Sequence, residues 1–248
     1  MRIDVRKEMA ACVRNLGGVV LDDSLENPRF ANADYWFPDY QVMVELKCLT
    51  ENLMAKREFN ERVSKFYAAW MRAGLIPQAE REKITFNLRD IPVKCAREFL
   101  EPIKRRLDVN VFKKANKQIK EMKKHFNATS TKGLLLLVND GDYMFPPGMM
   151  AHLLARSFKE QYSSIHSAIY LSVNELVTVP GVSSPVLFWI DGVLPNREPV
   201  PEALRGLLQQ SWIAHYSGLV PGPIYEILME NEPDVLANIR FTKQAPAS

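Results

Sequence analysis

Apolar positions along this chain follow two rhythms. Val5, Met9, Cys12, Val13 and Leu16 recur three or four residues apart and predict a helix over 4–16, stopped by Gly17 and Gly18. GVVLDD, residues 18–23, reads as a short strand. ANADYWF, residues 31–37, and QVMVELKCL, residues 41–49, are rich in β-branched and aromatic side chains and read as two strands. Pro38, Asp39 and Tyr40 supply a tight turn between them, which makes the pair a hairpin. Phe59, Val63, Phe66 and Trp70 mark the buried face of a helix over 51–73, ended by Gly74. KITFNLRDI, residues 83–91, reads as a further strand. Two helices follow, from Pro92 to Arg106 and from Val109 to Phe126. GLLLLVND, residues 133–140, is the continuous apolar run of a strand covered on both faces. Beyond it the pattern predicts a helix over 146–161, strands around 165–173 and 186–194, and a helix from Pro201 to Tyr216. A proline-rich tail from Ser217 is expected to wrap the surface.

Three strands joined by short turns form an antiparallel meander. A strand reached through a crossover helix lies parallel to its neighbour. The expected class is therefore α/β: a mixed sheet, meander plus parallel strand, flanked by helices. No linker divides the chain, so residues 1–248 are expected to form a single domain. Its core would span about 4–140, with a helical insert at 51–73 and a C-terminal extension at 141–248.

Composition narrows the class of protein. Apolar residues are 47% and charged residues 25%, an ordinary globular balance over 248 residues. A net charge of +3 is too small to identify a partner, so the placement of charge matters more than its sum. Cys12, Cys48 and Cys95 form no CxxC pair and are expected to be buried free thiols of a reducing compartment. No secretory leader is apparent, and no apolar run, Leu134 to Val138 included, is long enough to span a bilayer. A cytoplasmic protein without a membrane partner is expected.

Candidate chemistry centres on Asp34, Glu45 and Lys47. Glu45 and Lys47 are two apart on a strand and project from one face, flanked by Val42, Met43, Val44, Leu46 and Leu49. Charges in such a strand are costly unless they are paired or bind a metal. The turn at 38–40 brings Asp34 beside this strand, where two carboxylates repel and a divalent cation between them resolves the repulsion. Oxygen ligands suit Mg²⁺ or Mn²⁺. In that arrangement Asp34 and Glu45 bind the metal, and Lys47 orients a water or stabilises phosphate charge. The plain alternative is a same-face ion pair of Glu45 and Lys47 on an edge strand.

Asp34 followed by Glu45-Leu46-Lys47 on adjacent strands resembles the signature of the PD-(D/E)xK nuclease superfamily, the restriction-endonuclease-like fold. Ala33 stands where the signature has proline, and the literal Pro38-Asp39 falls in the turn, too close to Glu45 to pair with it. The resemblance covers about residues 4–140. It implies a metal-dependent phosphodiesterase acting on nucleic acid, DNA favoured, in bacterial DNA processing or defence. It also implies two further site residues. A glutamate from the first helix would be Glu8, with Glu26 on the following loop as a weaker substitute. A glutamine on the crossover helix would be Gln118, although Met122 replaces the tyrosine of the QxxxY pattern.

The helix that carries Gln118 adds an electrostatic expectation. Lys113, Lys117, Lys120 and Lys124 share one side, flanked by Lys114 and Lys123, while Phe112, Ala115, Ile119, Met122 and Phe126 share the other. Such a stripe can neutralise backbone phosphates, although most lysine stripes are simply solvated helix faces. NDGD at 139–142 reads as an Asp-Gly turn, and His166 as a satisfied core histidine. His125, His152, His166 and His215 show no metal-ligand spacing, and there is no Walker A loop, dinucleotide glycine pattern or GxSxG elbow. Trp70 of the insert is a candidate for core packing or for a homodimer face. Two rivals to the nuclease are a non-catalytic nucleic-acid- or protein-binding member of the same fold, and a structural or interaction protein.

Overall fold

A computed structural model of the chain describes residues 2–24, 32–76, 91–141, 145–159, 162–174, 176–178, 187–194, 197–219 and 240–242. Helix α1, Val5–Asn15, starts at Asp4, whose side chain accepts hydrogen bonds from the Arg6 and Lys7 backbone N–H groups. It buries the predicted stripe of Val5, Met9, Cys12 and Val13. The segment read as a strand over 18–23 divides. Only Val19–Val20 is extended (β1), and Leu21–Ser24 turns into a short helix, α2. Strand β2, Tyr35–Phe37, is shorter than expected, and β3, Val42–Leu49, runs close to the predicted length. Pro38–Tyr40 forms a single 3-10 turn, closed by Gln41 in the left-handed region at φ 50°.

The insert helix is α3, Arg57–Arg72. Residues 77–90, and with them most of the strand expected at 83–91, lie outside the described residues. The two helices predicted next are one continuous helical run: α4, Val93–Leu107, a π-helical turn over Asp108–Phe112, and α5, Lys113–His125. The sequence shows why. The α4 stripe of Phe99, Leu100, Ile103 and Leu107 and the α5 stripe of Phe112, Ala115, Ile119 and Met122 are separated by five residues at Leu107 to Phe112. That step breaks the three-four rhythm. A π turn absorbs it, with the Lys113 N–H bonded to the Asp108 carbonyl five residues back.

Strand β4, Lys132–Asn139, follows. Then come α6, Pro147–Phe158; β5, Ser167–Ser172; β6, Leu176–Thr178; β7, Trp189–Val193; α7, Glu202–Ser217; and β8, Arg240–Thr242. Among the described residues, β1-β2-β3-β4-β5-β7 form a six-stranded mixed sheet. β1, β2 and β3 are antiparallel, β3, β4 and β5 are parallel, and β7 returns antiparallel. The expected meander plus parallel strand is therefore present, and the sheet continues past residue 140 into β5 and β7. The antiparallel pair β6 and β8 forms a second sheet that the residue pattern does not predict. Most of the tail, 220–239, lies outside the described residues.

Alternation along β3 assigns its two faces. Met43 packs with Trp70, Phe99, Ile119, Leu135 and Leu137 on one side of the sheet. Val42, Val44 and Leu46 pack with Met9, Val13, Leu204, Leu208 and Trp212 on the other, under α1 and α7. Trp70 is thus core, and its indole N–H donates to Glu98 at 2.7 Å. The three cysteines are free, with Cys12 and Cys95 buried and Cys48 half-buried. Among the described residues, no helix is long and apolar enough to cross a membrane.

Lys123 corrects the expected lysine stripe. Lys113, Lys114, Lys117, Lys120 and Lys124 are exposed, but Lys123 is buried beside the Ser164 carbonyl, 3.4 Å away. Burial lowers its ammonium to about 8. The folded state thus prefers the neutral amine, so its stability is highest above the ordinary lysine value and declines as pH falls through about 8. Lys123→Met is expected to raise the stability at pH 7 by about 1 kcal/mol and to flatten its fall between pH 10 and 7, read by urea denaturation at each pH. Gly133 allows the close approach of β4 to the loop before β5. A Cβ there would lie 2.0 Å from the Ser164 carbonyl oxygen and 2.9 Å from the Ile119 side chain. Gly133→Ala is expected to lower stability by about 3 kcal/mol in the same assay.

Candidate functional site

The site forms because β2 stops one residue short. β2 and β3 pair as Tyr35 with Val44, and before Tyr35 the chain bends away. At the bend the Asp34 N–H still donates to the Val44 carbonyl at 3.1 Å, while the Asp34 carbonyl accepts from the Leu21 N–H at 2.9 Å. Beyond Val44 the edge of β3 therefore has no strand beside it among the described residues. The Asp34 side chain fills the gap, its Oδ2 accepting the Leu46 N–H at 2.7 Å. The Gln41 and Leu49 carbonyls bond to the β4 side, so even-numbered residues of β3 present their backbone groups to the β2 side. The Leu46 carbonyl consequently faces the same open edge as the Asp34 carboxylate.

Glu45 projects from β3 with only 1% of its surface exposed. Its Oε1 is bound by the Lys47 ammonium, its Oε2 is buried with no donor among the described residues, and the Glu45 and Asp34 carboxyls interact as a hydrogen-bonding pair. Burial, and next the neighbouring Asp34 carboxylate, push Glu45 up to about 8 against the opposing pull of Lys47. An acid so placed retains its proton at neutral pH until another positive charge arrives. Asp34 and Lys47 are less enclosed, with side chains 15% and 18% exposed, so the group opens to solvent on their side.

Lys47 is held from two directions. Its Nζ donates to Gln118 Oε1 at 2.8 Å, and Gln118 Nε2 donates to the Asn32 carbonyl at 2.7 Å. Asn32 lies just before the bend at Asp34, so Gln118 ties α5 to both strands of the site. Four of the expected residues, Asp34, Glu45, Lys47 and Gln118, are thus brought together. Met122, at the position of the expected tyrosine, is buried in the core instead.

Glu8 is not brought to this group. Its Oε2 is paired with His215 Nε2 of α7 at 2.9 Å. The residue of α1 that reaches Asp34 is Arg6, whose guanidinium donates to Asp34 Oδ1 at 2.9 Å. Nothing in the local sequence marks Arg6 over Glu8, because the choice depends on how α1 turns against α7. Glu26 lies outside the described residues. Lys113, Lys117, Lys120 and Lys124 sit about 100–160° around α5 from Gln118. Lys114 is on the Gln118 side, one turn earlier, and Lys117 is 3.6 Å from Glu121.

Other acids and histidines are committed elsewhere. Asp140 binds Arg2 and Asn174, Gly141 N–H bonds Asn139 Oδ1 in a turn, and Asp142 lies outside the described residues. His166 Nδ1 accepts the Gly133 N–H at 3.0 Å, the expected satisfied histidine. Among the described residues no three His, Cys, Asp or Glu side chains converge as a metal cluster. The oxygens that could hold one hard cation are instead those of two carboxylates, Asp34 and Glu45, with the edge-facing Leu46 carbonyl.

Such a donor set predicts a thermal effect. Mn²⁺ at a hundredfold excess over its Kd is expected to raise Tm by about 5–10 °C in the wild type, and by less than half of that in Asp34→Asn. Differential scanning calorimetry at matched ionic strength reads this, and equal rises in both proteins would remove Asp34 from the donor set. Comparison with known proteins finds no matching family model, no matching curated protein and no matching solved structure.

Proposed function

We propose that this chain is a metal-dependent phosphodiesterase of restriction-endonuclease-like fold that cleaves nucleic acid, DNA by preference. The observation that carries the reading is the buried Glu45 carboxyl beside the Asp34 carboxylate, its Oε2 finding no donor among the described residues. Nature seldom buries such an oxygen unless something absent from the bare chain satisfies it. One Mg²⁺ or Mn²⁺ held by Asp34 and Glu45 would supply Lewis acidity and positive charge for the phosphate.

The chain's own residues account for the rest of the chemistry. Hydrolysis adds a water oxygen to phosphorus and breaks a P–O ester bond; the attacking water gives up one proton to solvent and the leaving alkoxide takes one up from solvent. Lys47 lies at the polar end of the group and keeps a fixed orientation through Glu45 and Gln118. From there its ammonium orients the attacking water and stabilises negative charge on the phosphate as it grows. Gln118 acts through Lys47 as a positioning residue. Exposed Lys113, Lys117, Lys120 and Lys124 offer the backbone a screened, salt-sensitive attraction on the flank of α5 turned away from Gln118. The mixed sheet, with α1 ahead of it and the α5 crossover entering β4, is the framework on which such nucleases build this constellation.

A second reading is a non-catalytic nucleic-acid-binding member of the same fold. It draws on the commitment of Glu8 to His215 and on a carboxylate pair where a third acid was expected. Wild type and Lys47→Ala on DNA and RNA substrates, single- and double-stranded, with Mg²⁺ or Mn²⁺, separate the two. Wild type is expected to cleave at least one DNA substrate, and Lys47→Ala to lose about a hundredfold or more in rate. Full-rate cleavage by Lys47→Ala would remove Lys47 from the mechanism. Binding without cleavage by the wild type would favour the second reading.

A further inference from the structure

Asp34 is divided between the site and a neighbouring cleft. Its Oδ2 takes the Leu46 N–H and its Oδ1 takes the Arg6 guanidinium. Arg6 is 59% exposed and projects from the first turn of α1. Beside it lies a cleft of about 400 Å³ whose lining includes Arg2, Arg6, Cys48, Thr50 and Asp140. Cys48 is near the end of β3, Thr50 follows that strand, and Asp140 follows β4. The cleft therefore sits at the carboxyl ends of two parallel strands, where open α/β sheets place their ligands.

Its formal charges balance, Arg2 and Arg6 against Asp4 and Asp140, and the groups that can meet an anion are the two guanidiniums. Arg2 and Arg6 bring two guanidiniums. The acids that line the cleft are already engaged: Asp140 by Arg2 at 3.2 Å and Asn174 at 2.7 Å, Asp4 by the backbone N–H groups of Arg6 and Lys7. The Cys48 thiol stays neutral, because burial pushes it up to about 11.

We propose that Arg6 is an exchangeable counter-ion: it neutralises Asp34 until a divalent cation does so, then turns into the cleft and, with Arg2, holds a phosphodiester oxygen of the nucleic-acid backbone. The inference rests on the phosphodiesterase reading and adds a phosphate-binding position on the α1 side of the sheet. A guanidinium and a divalent cation on the same carboxylate repel, so arrival of the ion weakens the Arg6–Asp34 pair. The freed side chain needs only a change of rotamer to face the cleft it already lines, and its planar fork matches two phosphate oxygens. Metal binding and substrate binding are thereby coupled through one residue.

Opposite effects of one substitution test this. Mn²⁺ affinity is read from the electron paramagnetic resonance signal of free Mn²⁺. Nucleic-acid affinity is read by fluorescence anisotropy with short labelled DNA and RNA duplexes, with and without Mn²⁺, in the non-cleaving Lys47→Ala background. Arg6→Gln is expected to bind Mn²⁺ about three- to tenfold more tightly, because a competing cation is gone. The same change is expected to reduce Mn²⁺-stimulated duplex affinity about tenfold. Arg2→Gln is expected to weaken duplex binding while leaving Mn²⁺ affinity unchanged, and Arg6→Lys to restore part of the duplex binding. A merely structural Arg6 would weaken both measurements together, and that outcome, or an unchanged Mn²⁺ stimulation, overturns the inference alone if the wild type binds Mn²⁺ and cleaves. A wild type that binds no Mn²⁺ overturns both the inference and the phosphodiesterase reading.

Discussion

A carboxylate buried in a central strand is the constraint around which this protein is arranged. Removing a charged Glu45 from water would cost several kcal/mol, which the Lys47 pair offsets only in part, so the folded chain favours its protonated form near neutral pH. One of its oxygens is left with no donor among the described residues. Everything nearby acts to contain that cost. Lys47 pairs with Glu45, Gln118 steadies Lys47, and Arg6 neutralises the second acid. A sheet that needed only stability would place leucine at this position, as β4 does at Leu135 beside it.

The open edge of β3 turns that cost into a site. Had β2 continued for two more residues, its backbone would occupy the groups that Leu46 presents, and Asp34 would lie within a ladder. The bend at Asp34 instead exchanges a strand for a side chain. The Asp34 carboxylate thereby performs a structural task, satisfying Leu46, and remains close enough to raise Glu45. The π turn has a related role on the opposite side of the sheet. It resets the phase of a long helix so that Ile119 and Met122 stay in the core while Gln118 reaches the polar group.

Two faces of the sheet therefore converge on one edge. Lys47 and Gln118 approach from the α5 side, and Arg6 approaches from the α1 side. Asp34 is the junction between them. Its two oxygens serve different neighbours, Leu46 and Arg6, so the proposed coupling of metal and phosphate would need no movement of the backbone.

Much of this was legible in the residues alone. Alternation placed Glu45 and Lys47 on one strand face, the 38–40 turn placed Asp34 beside them, and the apolar run of 134–138 announced a doubly covered strand. These depend on short-range periodicity, which covalent geometry dictates. Other features needed the third dimension. Glu8 and Arg6 are two residues apart on α1, and only the packing of α1 against α7 decides that Glu8 meets His215 while Arg6 meets Asp34. Lys123 reads as one lysine of a basic stripe, yet the approach of the loop before β5 buries it. The β6–β8 pairing joins segments more than sixty positions apart, with no local signal in either. Period and charge order are properties of the chain. Which side chain meets which across two packed elements is set by the angles at which those elements settle on the sheet, and no local stretch of residues contains that angle.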